Sequence, residues 1–167
     1  MALLTILAVA ALVFALDQAS KYLVLQFIQK EASWTLFPAL ARLFRLTYIT
    51  NTGAAFGIFP QLGGTFMLVA VMVIVAIILF HHHLPIENFW VRFSLGLQLG
   101  GALGNLLDRI RHGHVIDFVD IGFWPIFNLA DLSIIAGVTI LAYFLWDEEQ
   151  SSGPTETRPR PPQGRIL

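Results

Sequence analysis

Four long apolar stretches, separated by polar segments, dominate the pattern of the chain. They cover about residues 3–27, 62–80, 89–107 and 127–146, and residues 69–80 carry no polar side chain. About 20 apolar residues cross the hydrocarbon core of a bilayer as a helix. The pattern therefore predicts four transmembrane helices. The third is the weakest, because Arg92, Gln98 and Asn105 interrupt it.

The first apolar stretch has features that argue against a cleaved signal peptide. It lacks a basic segment before it, its apolar pattern resumes after Lys21, and no Ala-x-Ala site follows directly. These features favour a retained first membrane span.

The segment over about residues 29–60 is too polar to cross a membrane and has a different pattern. Three apolar residues alternate with polar ones: Phe44, Leu46 and Tyr48. This alternation predicts a strand, and Asn51-Thr52-Gly53 predicts a turn after it. We expect a small β-platform on the membrane surface. Three residues are assigned to a short interfacial helix beside it: Trp34, Phe37 and Pro38.

Composition places the chain among polytopic, mainly α-helical membrane proteins. It is 56% hydrophobic and 13% charged, with a mean hydropathy of +0.71. The net charge of −1 offers no electrostatic basis for binding nucleic acid. The absence of cysteine excludes disulfides and thiolate catalysis. Residues 1–147 are predicted to form one membrane domain, and residues 148–167 a disordered tail rich in Pro, Ser, Arg and Glu.

An even number of spans places both termini on the same side of the membrane. Most polar residues near the helix ends then lie at the opposite membrane face. Ten residues are expected at this shared face: Asp17, Lys21, Asn51, Gly53, Asn105, Asp108, Arg109, Asp117, Asn128 and Asp131. The topology thus predicts one candidate site. The Lys and Arg count does not favour a cytoplasmic tail, and it leaves the orientation of the site open.

Asp117 and Asp131 are the strongest candidates for chemistry. Carboxyl groups near hydrocarbon are costly and indicate function. Two carboxyls brought together share one proton, which is the chemistry of an aspartic protease. The alternative is two solvated carboxylates, with Asp131 near the positive end of the fourth helix and Asn128 as its N-cap. The 13 intervening residues, which include Gly122 and Pro125, are enough to bring the pair together.

Other polar and glycine patterns fit a supporting or a structural role. Asp17 and Lys21 lie on the same helix face. They could form an ion pair at the membrane interface or support the site. Asn51 and Gly53 fit a plain turn or a substrate contact. Arg109 can pair at the interface or bind a phosphate or carbonyl group. Three glycines at four-residue spacing predict close helix packing: Gly96, Gly100 and Gly104.

Rival hydrolytic chemistries have little support in the sequence. His81-His82-His83 lacks a nearby carboxylate, and no His-Glu-x-x-His, Gly-x-Ser-x-Gly or Walker A motif is present. We therefore predict no metal and no cofactor. Two other functions stay open on the residues alone. One is a proton-coupled transporter that uses Asp17, Asp108, Asp117 and Asp131 as a relay, and the other is a non-enzymatic assembly factor.

Five ordered blocks resemble the signatures of the lipoprotein signal peptidase (signal peptidase II) family. They are Asp17-Gln-Ala-Ser-Lys21, Asn51-Thr-Gly-Ala-Ala-Phe56, Gly101-Ala-Leu-Gly-Asn-Leu-Leu-Asp-Arg109, Val115-Ile-Asp-Phe118 and Phe127-Asn-Leu-Ala-Asp131. The stretch between Phe118 and Phe127 is shorter than in many members. The resemblance implies a bacterial inner-membrane aspartic protease with cytoplasmic termini and a periplasmic active site.

The resemblance also implies the substrate and the residue roles. It places the catalytic pair on Asp117 and Asp131, and the substrate is a prolipoprotein whose cysteine carries diacylglycerol, cut just before that cysteine. Ten residues would position the substrate or support the site: Asp17, Lys21, Asn51, Gly53, Gly101, Asn105, Asp108, Arg109, Asn128 and Ala130. Membrane lipid and globomycin-type inhibitors are the other expected partners, and we expect a monomer.

Overall fold

Four long helices and a small sheet make up most of the part of the chain that the structure describes. The computed structural model describes residues 1–35, 37–40, 42–53 and 63–151. The helices are α1 (Ala2–Phe27), α2 (Gly63–Phe80), α3 (Phe89–His112) and α4 (Leu129–Ser151). The strands are β1 (Ser33–Trp34), β2 (Arg45–Asn51) and β3 (Val115–Asp120), in the antiparallel order β1-β2-β3. The prediction of a mainly helical chain with a small sheet is confirmed.

Two of the helices are long and apolar enough to cross a membrane by length and composition alone. They are α1, and α4 over Leu129–Glu148, and a shorter apolar segment covers Ala70–His83. Polar residues along α3 lower its mean hydropathy, in line with the weak third stretch in the sequence. The described residues thus include two helices that could span a membrane, and the count of four spans stays a prediction.

Helix α3 packs against the other three helices, most extensively against α1 and α4. Glycines make this close packing possible, because a Cβ at Gly100 would lie 2.6 Å from the carbonyl oxygen of Ala10 in α1. A Cβ at Gly101 would meet the carbonyl oxygen of Ala130 in α4. The predicted close packing through small residues is confirmed. It brings the polar ends of three helices together.

The sheet packs on the end of α1 through a small apolar cluster. Buried Val24 of α1 contacts Ile116 and Phe118, which alternate along β3. The intervening residue, Asp117, faces the opposite side of the strand. Strand β3 was not predicted, because its six residues are buried on both faces except at Val119 and lack a clear polar alternation.

Some predicted boundaries are corrected by the structure. Trp34 lies in β1 and not in a helix, whereas Pro38 begins a short 3₁₀ helix, Pro38–Leu40, directly after Phe37. Strand pairing explains the position of Trp34, since β1 forms a two-residue antiparallel ladder with β2.

Helix ends also differ from the apolar pattern. Helix α3 continues to His112, where Gly113 (φ 75°) ends it in the left-handed conformation. Helix α4 begins at Leu129 and not at residue 127, because Phe127 pairs with Val119. It continues to Ser151, so the first four residues of the predicted tail are helical. The rest of that predicted tail, residues 152–167, lies outside the described residues.

Candidate active site

Both candidate aspartates line one cavity where β3, α3 and the start of α4 meet. The cavity has a volume of about 290 Å³. Other predicted site residues also line it: Asn51, Gly53, Asn105 and Arg109. Apolar side chains supply the rest of the wall, among them Val115, Ile126, Ile134 and Ile135. The fold therefore brings Asp117 and Asp131 into one site.

The carboxylate of Asp117 is buried and held by two amide groups. Its side chain lies on the cavity side of β3, and the residue is 1% exposed. Asn51 Nδ2 donates to Oδ2 at 2.9 Å, and Asn128 Nδ2 donates to Oδ1 at 2.7 Å. One donor comes from the end of β2 and the other from the residue before α4, so both carboxylate oxygens are fixed in direction.

Asp131 takes part in the N-terminal cap of α4. The backbone N–H of Asp131 donates to Asn128 Oδ1 at 2.9 Å, and the N–H of Asn128 donates to Asp131 Oδ2 at 3.3 Å. This reciprocal pair has the geometry of a capping box, which satisfies N–H groups at a helix start. The interpretation of Asn128 as an N-cap is confirmed. Asp131 also lies where the helix dipole favours a negative charge.

Two asparagines connect the aspartates to each other and to α3. Asn105 Nδ2 donates to Asp131 Oδ1 at 2.7 Å, and Asn105 Oδ1 accepts from Asn128 Nδ2 at 3.2 Å. Asn128 is completely buried and also donates to Asp117, so its side chain touches both halves of the pair. A single hydrogen-bonded unit therefore holds the two carboxyls.

The turn after β2 determines which way the amide of Asn51 points. The backbone N–H of Gly53 donates to Asn51 Oδ1 at 3.0 Å. This leaves Nδ2 as the group that faces Asp117. The predicted turn is present, and it also directs a donor toward the candidate carboxyl.

A buried ion cluster lies behind the cavity. The ammonium of Lys21 is 2.8 Å from Asp17 Oδ2, 2.7 Å from Asp108 Oδ2 and 3.1 Å from Asn105 Oδ1. These three contacts match the three donors of an ammonium group. Lys21 and both carboxylates are 2% exposed or less. The pair of Asp17 and Lys21 is therefore part of the site's framework and not a solvated interfacial pair.

Each supporting aspartate holds the backbone directly before a candidate catalytic one. Asp108 Oδ2 accepts the N–H of Ile116 at 3.2 Å, and Asp17 Oδ1 accepts the N–H of Ala130 at 3.0 Å. Ile116 precedes Asp117, and Ala130 precedes Asp131. Lys21 bridges the two supporting carboxylates and thereby fixes both backbone segments relative to each other.

The glycine and alanine positions of the predicted site have steric roles. A Cβ at Gly104 would collide with the carboxylate of Asp17, and one at Gly101 would collide with the backbone of Ala130. Ala130 itself is completely buried. These small residues let α3 approach the start of α4 closely enough for the hydrogen bonds described above.

Arg109 adds positive charge to the wall of the cavity. Its Nη1 donates to the carbonyl oxygen of Asn105 at 3.3 Å, one turn earlier in α3. The guanidinium interacts favourably with the charge of Asp131. Arg109 thus lines the cavity from α3 together with the two carboxyls, and its contact with a substrate carbonyl stays a prediction.

Burial changes the acidity of Asp117. Loss of hydration, followed by the negative charge of Asp131, raises the pKa of Asp117 from 3.8 to about 6. Hydrogen bonds from Asn51 and Asn128 act in the opposite direction and only partly offset it. The pair therefore retains a proton on Asp117 well above the pH at which an ordinary aspartate loses it.

Gln18 is a site residue that sequence reasoning missed. Its Nε2 donates to Asp108 Oδ1 at 3.0 Å, to Asp17 Oδ2 at 3.2 Å and to the carbonyl oxygen of Gly104 at 3.3 Å. Its position directly after Asp17 was the available signal. Among the described residues, no group of three or more His, Cys, Asp or Glu side chains could hold a metal ion.

Solved structures with the same fold are bacterial membrane enzymes. One, determined by the in meso method, aligns with a TM-score of 0.81 and 28% identity over 92% of this chain and 94% of the solved chain. Another aligns with a TM-score of 0.75 and 30% identity over 84% of this chain and 92% of the solved one. The fold and the cavity define this chain as a membrane enzyme.

Sequence comparisons give the family. A profile described as signal peptidase (SPase) II matches residues 9–146. The lipoprotein signal peptidase of Moorella thermoacetica is 45% identical over 83% of this chain and 91% of that protein. That of Halothermothrix orenii is 42% identical over 85% of this chain and 95% of that protein. The chain belongs to the signal peptidase II family, whose role is to cleave the signal peptides of prolipoproteins.

Replacement of Lys21 by methionine should strongly destabilise the protein. The change leaves Asp17 and Asp108 buried without a counter-charge, which costs roughly 3–5 kcal/mol of unfolding free energy. Reversible unfolding in detergent micelles measures this loss. The matched control is Lys30→Met, which removes an exposed ammonium and should change stability by less than about 1 kcal/mol. Equal effects of the two substitutions would contradict the framework role of Lys21.

The raised pKa of Asp117 should make stability depend on pH. Between pH 4 and 6 the folded protein binds more protons at Asp117 than the unfolded chain does, so the unfolding free energy falls as pH rises. A pKa of about 6 against 3.8 corresponds to roughly 3 kcal/mol across this window. Unfolding curves at several pH values should show a steeper fall for wild type than for Asp117→Asn. If the unfolding free energies of the two proteins had the same pH dependence, the raised pKa of Asp117 would be refuted.

Proposed function

We propose that Asp117 and Asp131 are the catalytic dyad that cleaves diacylglyceryl-modified prolipoproteins just before the lipidated cysteine. The observation that carries the proposal is that both carboxyls line one cavity and accept hydrogen bonds from Asn128. The Asp117 carboxyl accepts from its side chain, and the Asp131 carboxyl accepts from its backbone N–H. Family membership supports the substrate class, since the relatives are lipoprotein signal peptidases.

The surroundings of the two carboxyls favour different roles. Asp131 lies at the start of α4, accepts from Asn105 and the backbone, and interacts favourably with Lys21 and Arg109. These contacts offset part of the cost of burying its charge, which suits a carboxyl that acts as the general base. The raised pKa of Asp117 suits the member that holds the proton. We therefore assign Asp131 as the base and Asp117 as the acid.

The reaction follows from these roles. Asp131 accepts a proton from water as the water oxygen attacks the scissile carbonyl carbon. Asp117 donates its proton to the carbonyl oxygen, which stabilises the tetrahedral intermediate. When the carbon–nitrogen bond breaks, the proton on Asp131 moves to the leaving amine of the cysteine, and Asp117 regains a proton from the hydroxyl. The dyad is then restored.

Two kinds of lining group match two parts of the proposed substrate. The polar groups of Asn51, Gly53 and Arg109 suit the peptide backbone around the scissile bond. The apolar side chains of Ile134 and Ile135 in α4 suit apolar side chains or the lipid-linked cysteine. Globomycin-type inhibitors, as expected from the family resemblance, would occupy the same cavity.

The relay hypothesis has less support than catalysis. Its four acidic residues, Asp17, Asp108, Asp117 and Asp131, belong to one connected hydrogen-bonded network around the cavity. A transport path needs ionisable groups at successive depths of the membrane. The compact network instead fits a single reaction centre.

The proposed location is the bacterial inner membrane, with four spans, cytoplasmic termini and the cavity at the periplasmic face. The sheet would then lie on the outer membrane surface above the site. Residues 1–147 would act as one domain and as a monomer. The membrane-enzyme relatives and the apolar helices α1 and α4 support this arrangement.

Asp117→Asn and Asp131→Asn should each fold and lose activity. Either change removes a proton-transfer group, so cleavage of a diacylglyceryl prolipoprotein should fall by at least about 10³-fold. Purified variants in detergent, assayed by release of the signal peptide, provide the measurement. The control Asp147→Asn alters an exposed carboxyl at the other end of α4 and should retain activity. Near wild-type cleavage by either dyad variant would disprove the assignment.

The proposed orientation can be tested by labelling single cysteines, since the chain has none. Four exposed positions serve as sites: Lys30, Arg111, His82 and Glu87. In spheroplasts, an impermeant thiol reagent should label cysteines at Lys30 and Arg111. Cysteines at His82 and Glu87 should react only after the membrane is permeabilised. The opposite pattern would invert the topology, and labelling of all four would exclude four spans.

A further inference from the structure

The loop between the two candidate catalytic aspartates, residues 120–127, forms part of the cavity rim; we call it the rim loop. It joins β3, which carries Asp117, to α4, which carries Asp131. Its base is closed by strand-like pairing, because Val119 N donates to Phe127 O at 2.7 Å and Phe127 N donates to Val119 O at 3.1 Å. The loop is therefore attached firmly on both sides.

Asp120 fixes the first half of the rim loop to the neighbouring strand. Its carboxylate is buried and forms an ion pair with Arg45 of β2. It also accepts from Thr47 Oγ1 at 3.1 Å and from the backbone N–H of Gly122 at 2.9 Å. Gly122 has a φ of 82° and approaches the carbonyl oxygen of Arg42 so closely that a Cβ would lie 2.7 Å from it. The path of the loop is thus set by β2.

The tip of the rim loop presents two aromatic side chains with different positions. Phe123 is 83% exposed and Trp124 is 55% exposed. Of the two, Trp124 belongs to the described residues that line the cavity, whereas Phe123 does not. Trp124 therefore has one part against the cavity and one part open to its mouth. A large, partly exposed aromatic group at a concave site is typical of a residue that contacts a bound peptide.

We propose that Trp124 is a substrate-contact residue that packs on the apolar signal-peptide segment at the scissile bond, and that Asp120 is the positioning residue for Trp124. The inference rests on the proposed function of the cavity. Neither residue takes part in proton transfer. Trp124 acts by binding, whereas Asp120 acts through its bonds to Arg45 and Gly122, which determine where the loop tip lies.

The test measures kcat and KM with a synthetic diacylglyceryl lipopeptide that spans the cleavage site, in detergent micelles. Trp124→Ala should raise KM about tenfold, equivalent to about 1.4 kcal/mol, with kcat reduced less. Trp124→Phe should restore most of the affinity. The matched control Phe123→Ala, which removes the neighbouring aromatic ring, should change KM by less than about twofold.

A double substitution tests whether Asp120 acts through Trp124. Asp120→Asn should raise KM about threefold or more in the wild-type background and by less than about twofold in the Trp124→Ala background. Additive effects would show that Asp120 has a separate role. The inference would be overturned by an unchanged KM for Trp124→Ala, or by equal effects of Trp124→Ala and Phe123→Ala.

Failure of the rim-loop inference can be distinguished from failure of the proposed function. If Asp117→Asn is inactive and Trp124→Ala has the KM of wild type, the rim-loop inference alone is wrong. If Asp117→Asn cleaves the lipopeptide normally, the dyad assignment is wrong whatever the rim-loop variants do. The pH profile of kcat for Trp124→Ala should follow that of wild type, because the loop does not touch the proton on Asp117.

Discussion

The contact of one buried ammonium with two buried carboxylates organises the candidate site. Lys21 lies 2.8 Å from Asp17 and 2.7 Å from Asp108, and each carboxylate also accepts a backbone N–H beside a candidate catalytic residue. Desolvation of three charges is costly, and such clusters often add little net stability. Here the cluster provides geometry, because it links α1 and α3 with β3 and the start of α4. The position of Asp117 relative to Asp131 depends on that link.

Close helix packing is the condition that allows this ion cluster to form. The glycine positions of α3 let α1 and α4 approach its backbone, and a side chain at Gly104 would displace the carboxylate of Asp17. Two asparagines extend this hydrogen-bonded network into the cavity. Asn105 connects Lys21 to Asp131, and Asn128 connects Asp131 to Asp117. Close packing, ion pairs and amide hydrogen bonds thus connect the helix interfaces to the two candidate catalytic aspartates.

Much of this arrangement was predictable, and the exceptions have physical reasons. Apolar stretches marked all four helices, and the even number of predicted spans grouped the aspartates at one face before any contact was known. Strand β3 was missed because burial on both sides removes the alternation that identifies a strand. Gln18 was missed because its role depends on three partners from α1 and α3. The placement of Trp34 in β1 depends on pairing with β2, which local propensity does not encode.

The most direct test is the protonation of the two candidate catalytic aspartates, observed by infrared spectroscopy with isotope-labelled aspartate. We expect a protonated carboxyl band in the wild-type enzyme that disappears with a midpoint near pH 6, the value to which burial and Asp131 raise the pKa of Asp117. That band should be missing from Asp117→Asn. A band that titrates near pH 4 in wild type, or one that persists unchanged in Asp117→Asn, would contradict a shared proton held on Asp117.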